Sequence, residues 1–352
     1  MSLRHLCLFL IVFGLLSAAP VHAAEGLRQE LVILNWADYI DPELITAFEK
    51  QRDVKVRVVN YEDDDNRDQL LLATNGSGYD LVVVNETHVN VYRAHGWIAP
   101  LSADEVPNLK HVDPKWLAKA EAAKGYAAPY FWGTLGIAYR KDLVQKPPQG
   151  WIDLLEPGSD MKGKVAMLSS SREILGMALK AAGHSVNSVD HREIDEAMRL
   201  LVAQKPFVRA YQQSLLNERS ELVTGDVSMR MTFNGDALVL KRFNPNIEYV
   251  VPEQGTGLWV DYITVMANAA SPALAYAFID FLNQPANAAK NAQYVSFATP
   301  NTAAEKLLPA EFRANRAIYP DAKTLANSEM FTALPPRALS YRNTKFSQLV
   351  QN

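Results

Sequence analysis

Residues 31–42 read Leu31-Val32-Ile33-Leu34-Asn35-Trp36-Ala37-Asp38-Tyr39-Ile40-Asp41-Pro42, and this stretch decides the fold class. Its first four residues are an apolar run of strand length. Its last two are a helix N-cap followed by proline at the first helical position, where the fixed φ suits the helix and the missing N–H is no loss. A strand feeding a helix opens a βα unit. Val54 to Val59 alternates like a second strand, Asp68 to Ala73 reads as helix, and Leu81-Val82-Val83-Val84 is a continuous apolar run suited to a strand buried on both faces. The order βαβαβ predicts a parallel α/β sheet.

Farther along, Asp190 and Glu193 form a capping-box-like pair ahead of Ile194, Met198 and Leu201, which recur at helical spacing. Ser271-Pro272 opens another helix with Leu274, Phe278, Phe281 and Leu282 on one face. These stripes face a core and imply no cofactor. Ala166-Met167-Leu168 and Tyr249-Val250-Val251 read as strands that bracket a second α/β unit. Two α/β lobes are therefore expected, with a ligand at the carboxyl ends of strands.

At the N-terminus, Arg4 precedes the apolar run Leu6 to Leu16 and the small-residue stretch Ser17 to Ala23, the order of a secretory signal peptide cleaved after Ala23. The run is about half the roughly 20 residues that a membrane-spanning helix needs. The only cysteine, Cys7, lies inside that signal. A mature chain without thiols excludes disulfides, thiolate metal sites and cysteine nucleophiles. Loss of Arg4 leaves 34 basic against 39 acidic residues, a formal charge of −5. Nucleic acid is not expected as a partner, and the negative balance suits a cationic ligand.

Catalytic signatures are missing: the sequence contains no G-x-S-x-G elbow, H-E-x-x-H, P-loop or G-x-G-x-x-G. An enzyme is not expected, nor a cofactor or metal. His88, His95, His111, His184 and His191 do not pair at metal-ligand spacing. The run Glu62-Asp63-Asp64-Asp65-Asn66 lacks the glycine and glutamate of an EF-hand loop and reads as the cap of the next helix.

The chain does offer acids beside aromatic residues at the ends of predicted strands: Trp36-Ala37-Asp38-Tyr39, Phe233-Asn234-Gly235-Asp236 and Trp259-Val260-Asp261. An aromatic face with a carboxylate suits an alkylammonium ion, because the ring lines the methylene chain and the carboxylate takes charge-assisted hydrogen bonds. Each pair alone is also what a core aromatic beside a helix cap looks like.

Taken in order, Asn35-Trp36-Ala37-Asp38-Tyr39-Ile40, Tyr79-Asp80-Leu81-Val82-Val83, Pro129 to Tyr139 with its Trp132-Gly133-Thr134 block, Glu173-Ile174-Leu175, Asn234-Gly235-Asp236 and Thr299-Pro300-Asn301 resemble the successive motifs of bacterial periplasmic polyamine receptors. The resemblance implies a periplasmic-binding-protein fold, two α/β lobes joined by crossover strands that act as a hinge. It divides the chain into a signal peptide (1–23), a first lobe (24–134 and 261–305) and a second (135–260 and 306–352). It implies a monomer that captures a polyamine in the periplasm and delivers it to an inner-membrane ABC permease, with no chemistry on the ligand. A receptor of the same fold for another amine, or a ligand sensor, is the alternative.

By the same resemblance, Trp36, Asp38 and Tyr39 line one wall with Asn85 close by, Trp259 and Asp261 sit near the hinge, and Glu173, Phe233 and Asp236 come from the other lobe. Asp38 and Asp261 are implied at one end of the ligand and Glu173 and Asp236 at the other, with Trp36, Phe233, Trp259 and Phe297 boxing the alkyl chain. Ala37, Phe233 and Phe297 each remove a polar group usual in the family. Ser170 stands where spermidine-preferring members carry an acid, so a short diamine such as putrescine is favoured. Glu86 and Arg172 are positioned to alter that preference.

Overall fold

The computed structural model describes residues 29–118 and 120–351. The expected signal peptide and Cys7 lie outside them. Among the described residues there are ten strands: β1 (Glu30–Trp36), β2 (Lys55–Tyr61), β3 (Leu81–Asn85), β4 (Ala127–Arg140), β5 (Val165–Met167), β6 (Val208–Tyr211), β7 (Met229–Phe233), β8 (Ile247–Val250), β9 (Gly257–Val265) and β10 (Glu329–Met330). Their order is β2-β1-β3-β9-β4-β7-β5-β6, with β10 beside β9 and β8 beside β4.

The opening βαβαβ is parallel as expected, β1 pairing in that sense with both β2 and β3. Beyond it the sheet is mixed. β9 runs antiparallel to β3 and β4, because it returns from the far half of the sheet and enters the first half from the opposite end. Capping residues start these helices, at Asp41 and Asp190 where the sequence places them and at Asp63, so that the second helix runs Asp64–Thr74 and begins four residues before the expected Asp68. Asp41 Oδ1 accepts from the Glu43 N–H at 2.8 Å, Asp63 Oδ1 from Asn66 at 2.7 Å and Asp190 Oδ1 from Arg192 at 2.7 Å. Ser271 differs: its own N–H donates to Asp80 Oδ1 at 2.8 Å, while Asp80 Oδ2 accepts from Val32 at 2.7 Å. Buried Asp80 thereby ties the start of the helix Pro272–Asn283 to β1.

Each half of the sheet carries its own apolar layers. Phe48, Phe278 and Phe281 cover one face of the first half, and Tyr92, Trp97 and Ile318 the other. Leu175, Leu201 and Phe346 cover one face of the second half, and Leu222 and Leu240 the other. At ~1.5–3 kcal/mol for each large side chain removed from water, either core is large enough to hold its half together. Leu308, Ile318 and Met330 pack beside the first half, whereas residues from 306 onward were expected in the second lobe. Only from Phe331 do side chains join the second core. An apolar residue in a loop or a two-residue strand carries no signal of which sheet it will cover, so that boundary was not readable.

The halves meet along β4. Its residues from Ala127 to Thr134 pair with β9, and from Leu135 to Tyr139 with β7. The switch falls between Thr134 and Leu135, and the candidate site is built around it.

Candidate functional site

Alternation along β9 points Trp259 and Asp261 to the same face. Asp261 lies opposite Asn85 on β3 and Phe131 on β4, and Trp259 lies opposite Gly133. Phe233, the last residue of β7, lies opposite Leu135, one residue past the switch. The strand pairing thus brings together residues more than 170 positions apart in sequence, Asn85 and Asp261 among them.

The aromatic rings make an edge-to-face cluster. Trp259 meets Phe297 at 4.8 Å and Phe233 at 5.9 Å between ring centroids, both near perpendicular. Tyr39 meets Phe131 at 5.3 Å and Phe297 at 5.8 Å. Two glycines allow this approach. A Cβ on Gly133 would lie 2.5 Å from the Trp259 ring, and one on Gly235 would lie 2.4 Å from the Phe297 ring. The glycine of the Trp132-Gly133-Thr134 block is therefore spatial in purpose, while Trp132 turns to the opposite layer and donates through Nε1 to the Thr299 carbonyl at 3.3 Å. Trp36 is partly buried and packs on Tyr61 with centroids 4.4 Å apart.

Four buried or largely buried acids lie on the elements that meet near the crossing. Asp261 Oδ2 accepts a hydrogen bond from the Tyr39 hydroxyl at 2.9 Å. Burial, only partly offset by that bond, pushes the Asp261 carboxyl up to about 6. Burial and the neighbouring Asp261 raise the Tyr39 phenol well above its ordinary value, so Tyr39 stays protonated and donates. Asp236 occupies the first turn of the helix Asn234–Phe243, directly after β7, and burial pushes it up to about 7 against the opposing charge of Arg230. Glu173 sits in the first turn of the helix Ser171–Ala181, after β5. Glu86 follows β3; burial pushes it up to about 7 even though Arg172 opposes the shift and its Oε2 accepts from the Val260 N–H at 3.1 Å. Raised carboxyl values of this kind mark buried negative charge with too little positive charge beside it.

Asp64 shows the contrast. Burial alone would raise it, but Arg67 and His88 hold its carboxyl well below the usual carboxylate range. Its Oδ2 accepts from Asn85 Nδ2 at 2.6 Å, which fixes Asn85 beside Asp261. Three further polar atoms in the cluster are buried without a hydrogen-bond partner: Glu173 Oε2, Asn234 Nδ2 and Trp259 Nε1. Such atoms cost free energy unless something meets them.

The structure thus gathers Tyr39, Asn85, Glu173, Phe233, Asp236, Trp259, Asp261 and Phe297 around the crossing, with Trp36 at its margin. Asp38 is different. It is exposed on the turn after β1 with φ 53°, and this left-handed step turns Tyr39 inward in its place. Glu173 is already engaged: Arg172 Nε donates to its Oε1 at 2.7 Å, and a terminal nitrogen of Arg172 contacts the same oxygen. Sequence reasoning gave no role to Asn234, whose Oδ1 accepts from the Thr134 N–H at 3.2 Å and stitches the helix start to the crossing strand. Among the described residues no group of three or more His, Cys, Asp or Glu could hold a metal ion, and no helix is long and apolar enough to cross a membrane.

A family model described as bacterial extracellular solute-binding protein matches residues 43–320. The chain is 34% identical over 317 residues to a norspermidine sensor of Vibrio cholerae, covering 89% of this chain and 86% of that one. It is 32% identical over 316 residues to the spermidine/putrescine-binding periplasmic protein of Escherichia coli, covering 89% of each. A solved spermidine/putrescine ABC transporter substrate-binding protein of Streptococcus pneumoniae superposes with a TM-score of 0.81 at 30% identity, over 92% of this chain and 99% of that one.

Proposed function

The chain belongs to the family of bacterial extracellular solute-binding proteins, and from that premise we propose that it captures a polyamine in the periplasm and delivers it to an ABC permease of the inner membrane, leaving the ligand unchanged. The observation that carries this reading is a pair of buried acids with raised carboxyl values on the elements that carry the Trp259, Phe233 and Phe297 cluster: Asp261, two residues after Trp259 on β9, and Asp236, in the helix that directly follows Phe233. A linear diammonium ion meets both needs at once. Its charged ends compensate the carboxylates and its methylenes lie against the ring faces. The relatives described as spermidine/putrescine-binding support the same ligand class. In this reading the expected leader directs export, and the two halves close on the ligand about the crossing strands β4 and β9, a hinged closure of the kind periplasmic receptors use.

A ligand-sensing role is the second reading, favoured by the relative described as a norspermidine sensor. It shares the ligand chemistry and differs only in the protein that receives the signal.

A thermal-shift screen of refolded, ligand-stripped protein tests the ligand class, because a ligand that binds only the native state raises its apparent stability, by ~2.7 kcal/mol at a hundred times Kd. Putrescine, cadaverine and spermidine are expected to raise Tm, and 4-aminobutyrate to leave it in place. Silence from every amine would remove the polyamine reading while leaving the fold untouched.

A further inference from the structure

We infer that Arg172 is a specificity-determining residue: it acts as a tethered cation that fills the place of a third ammonium group and restricts the cleft to ligands carrying two. The inference rests on the polyamine reading above and deepens it. Arg172 belongs to the helix Ser171–Ala181 of the second half, yet one of its terminal nitrogens lies 3.3 Å from Glu86 Oε1 and 3.3 Å from Thr87 Oγ1, just beyond β3 in the first half. Its Nε is 2.7 Å from Glu173 Oε1, and its guanidinium lies over the Phe331 ring at 5.0 Å from the centroid. Only a fifth of the side chain is exposed, and the side chains of Glu86 and Glu173 are 3% exposed. One planar cation therefore serves two buried carboxylates across the mouth of the crossing and is held there by a ring, the geometry in which arginine outperforms lysine.

The charges around the crossing then fall into two groups. Arg67 is taken up by Asp64 and Asp68, and Arg230 faces Glu221 at 3.8 Å. Arg172 is the one cation shared by Glu86 and Glu173. Among the described residues Asp261 and Asp236 form no ion pair, and two such carboxylates suit two ammonium groups. A third ammonium would have to approach the guanidinium, and like charges at close range act as discrimination against the longer ligand. Glu173 Oε2, buried without a partner, is the position that removal of Arg172 would open to it.

Calorimetric titration of the wild type with putrescine and spermidine, and of R172Q and R172K with the same pair, tests this. The wild type is expected to bind putrescine more tightly than spermidine. In R172Q the ratio is expected to move toward spermidine by about tenfold or more, the scale of one charge left unmatched in a desolvated site. R172K, which keeps the charge, should hold the ratio near that of the wild type. A wild type that prefers spermidine, or a ratio unmoved in R172Q, overturns the inference even when putrescine binds. Binding of neither amine by the wild type sinks the polyamine reading, and this inference with it.

Discussion

Exchanging Asp261 for asparagine is expected to weaken putrescine binding by ~2–5 kcal/mol, the cost of leaving one partner of a desolvated charge pair unmatched. Every 1.4 kcal/mol is about tenfold in affinity, so the loss runs from about thirtyfold to several thousandfold. The substitution keeps the shape of the side chain and an oxygen that can accept from the Tyr39 hydroxyl, 2.9 Å away in the wild type. It removes only the charge. The Asp261 carboxyl stands at about 6, so its ionised form is disfavoured by burial in the free protein. The free D261N protein should therefore melt no lower than the wild type at neutral pH. Titration calorimetry with a parallel denaturation curve checks both halves. Unchanged putrescine affinity in a folded D261N protein would remove Asp261 from the site.

The second large effect is on pH. Burial raises Asp261 to about 6 and Asp236 to about 7, both above the ordinary aspartate value of 3.8. A group whose folded value is raised adds stability that is fully present below its unfolded value and is lost as pH rises through the folded value. Free protein therefore loses this contribution on going from about pH 4 to about pH 7. Ligand ammonium groups act in reverse, since they bind the ionised carboxylates. Affinity should be fully developed above about pH 7.5 and should fall as pH drops through 7 and then 6, by about a hundredfold or more at pH 5 as two protons compete with two ammonium groups. The Tm increment given by saturating putrescine should grow from pH 5 to pH 8. An increment that is flat or falls across that range would mean that these two carboxyls do not carry the ligand's charge.

Much of the first half was legible in the sequence because its signals are local. The Asp41-Pro42 cap, the run Leu81 to Val84 and the alternation after Val54 each depend on neighbours within a few residues, and β1, β2, β3 and the helix Pro42–Arg52 lie where those signals place them. The acids beside Trp259 and Phe233 were legible for the same reason. The crossing strand β4 was not read as a strand from its pattern: all 14 of its residues are buried and Gly133, Gly136 and Pro129 interrupt it, so it shows no alternation. The direction of β9 was not local either, being set by pairing with β3 across the sheet. The bridge from Arg172 to Glu86 spans 86 residues, and nothing at either end signals the other. The orientations of Asp38 and Tyr39 hang on a single backbone angle: with φ positive at Asp38, that residue is exposed and Tyr39 is buried, a choice that the tripeptide Ala37-Asp38-Tyr39 does not announce.

If the crossing holds a linear diamine by its two charged ends, a crystal structure of the protein with putrescine will show it. The expected density is an extended chain along the Trp259, Phe233 and Phe297 rings, with one nitrogen within hydrogen-bond distance of Asp261 and the other within the same distance of Asp236. A ligand bound away from these carboxylates, or a crossing that stays unoccupied at saturating putrescine, would contradict it.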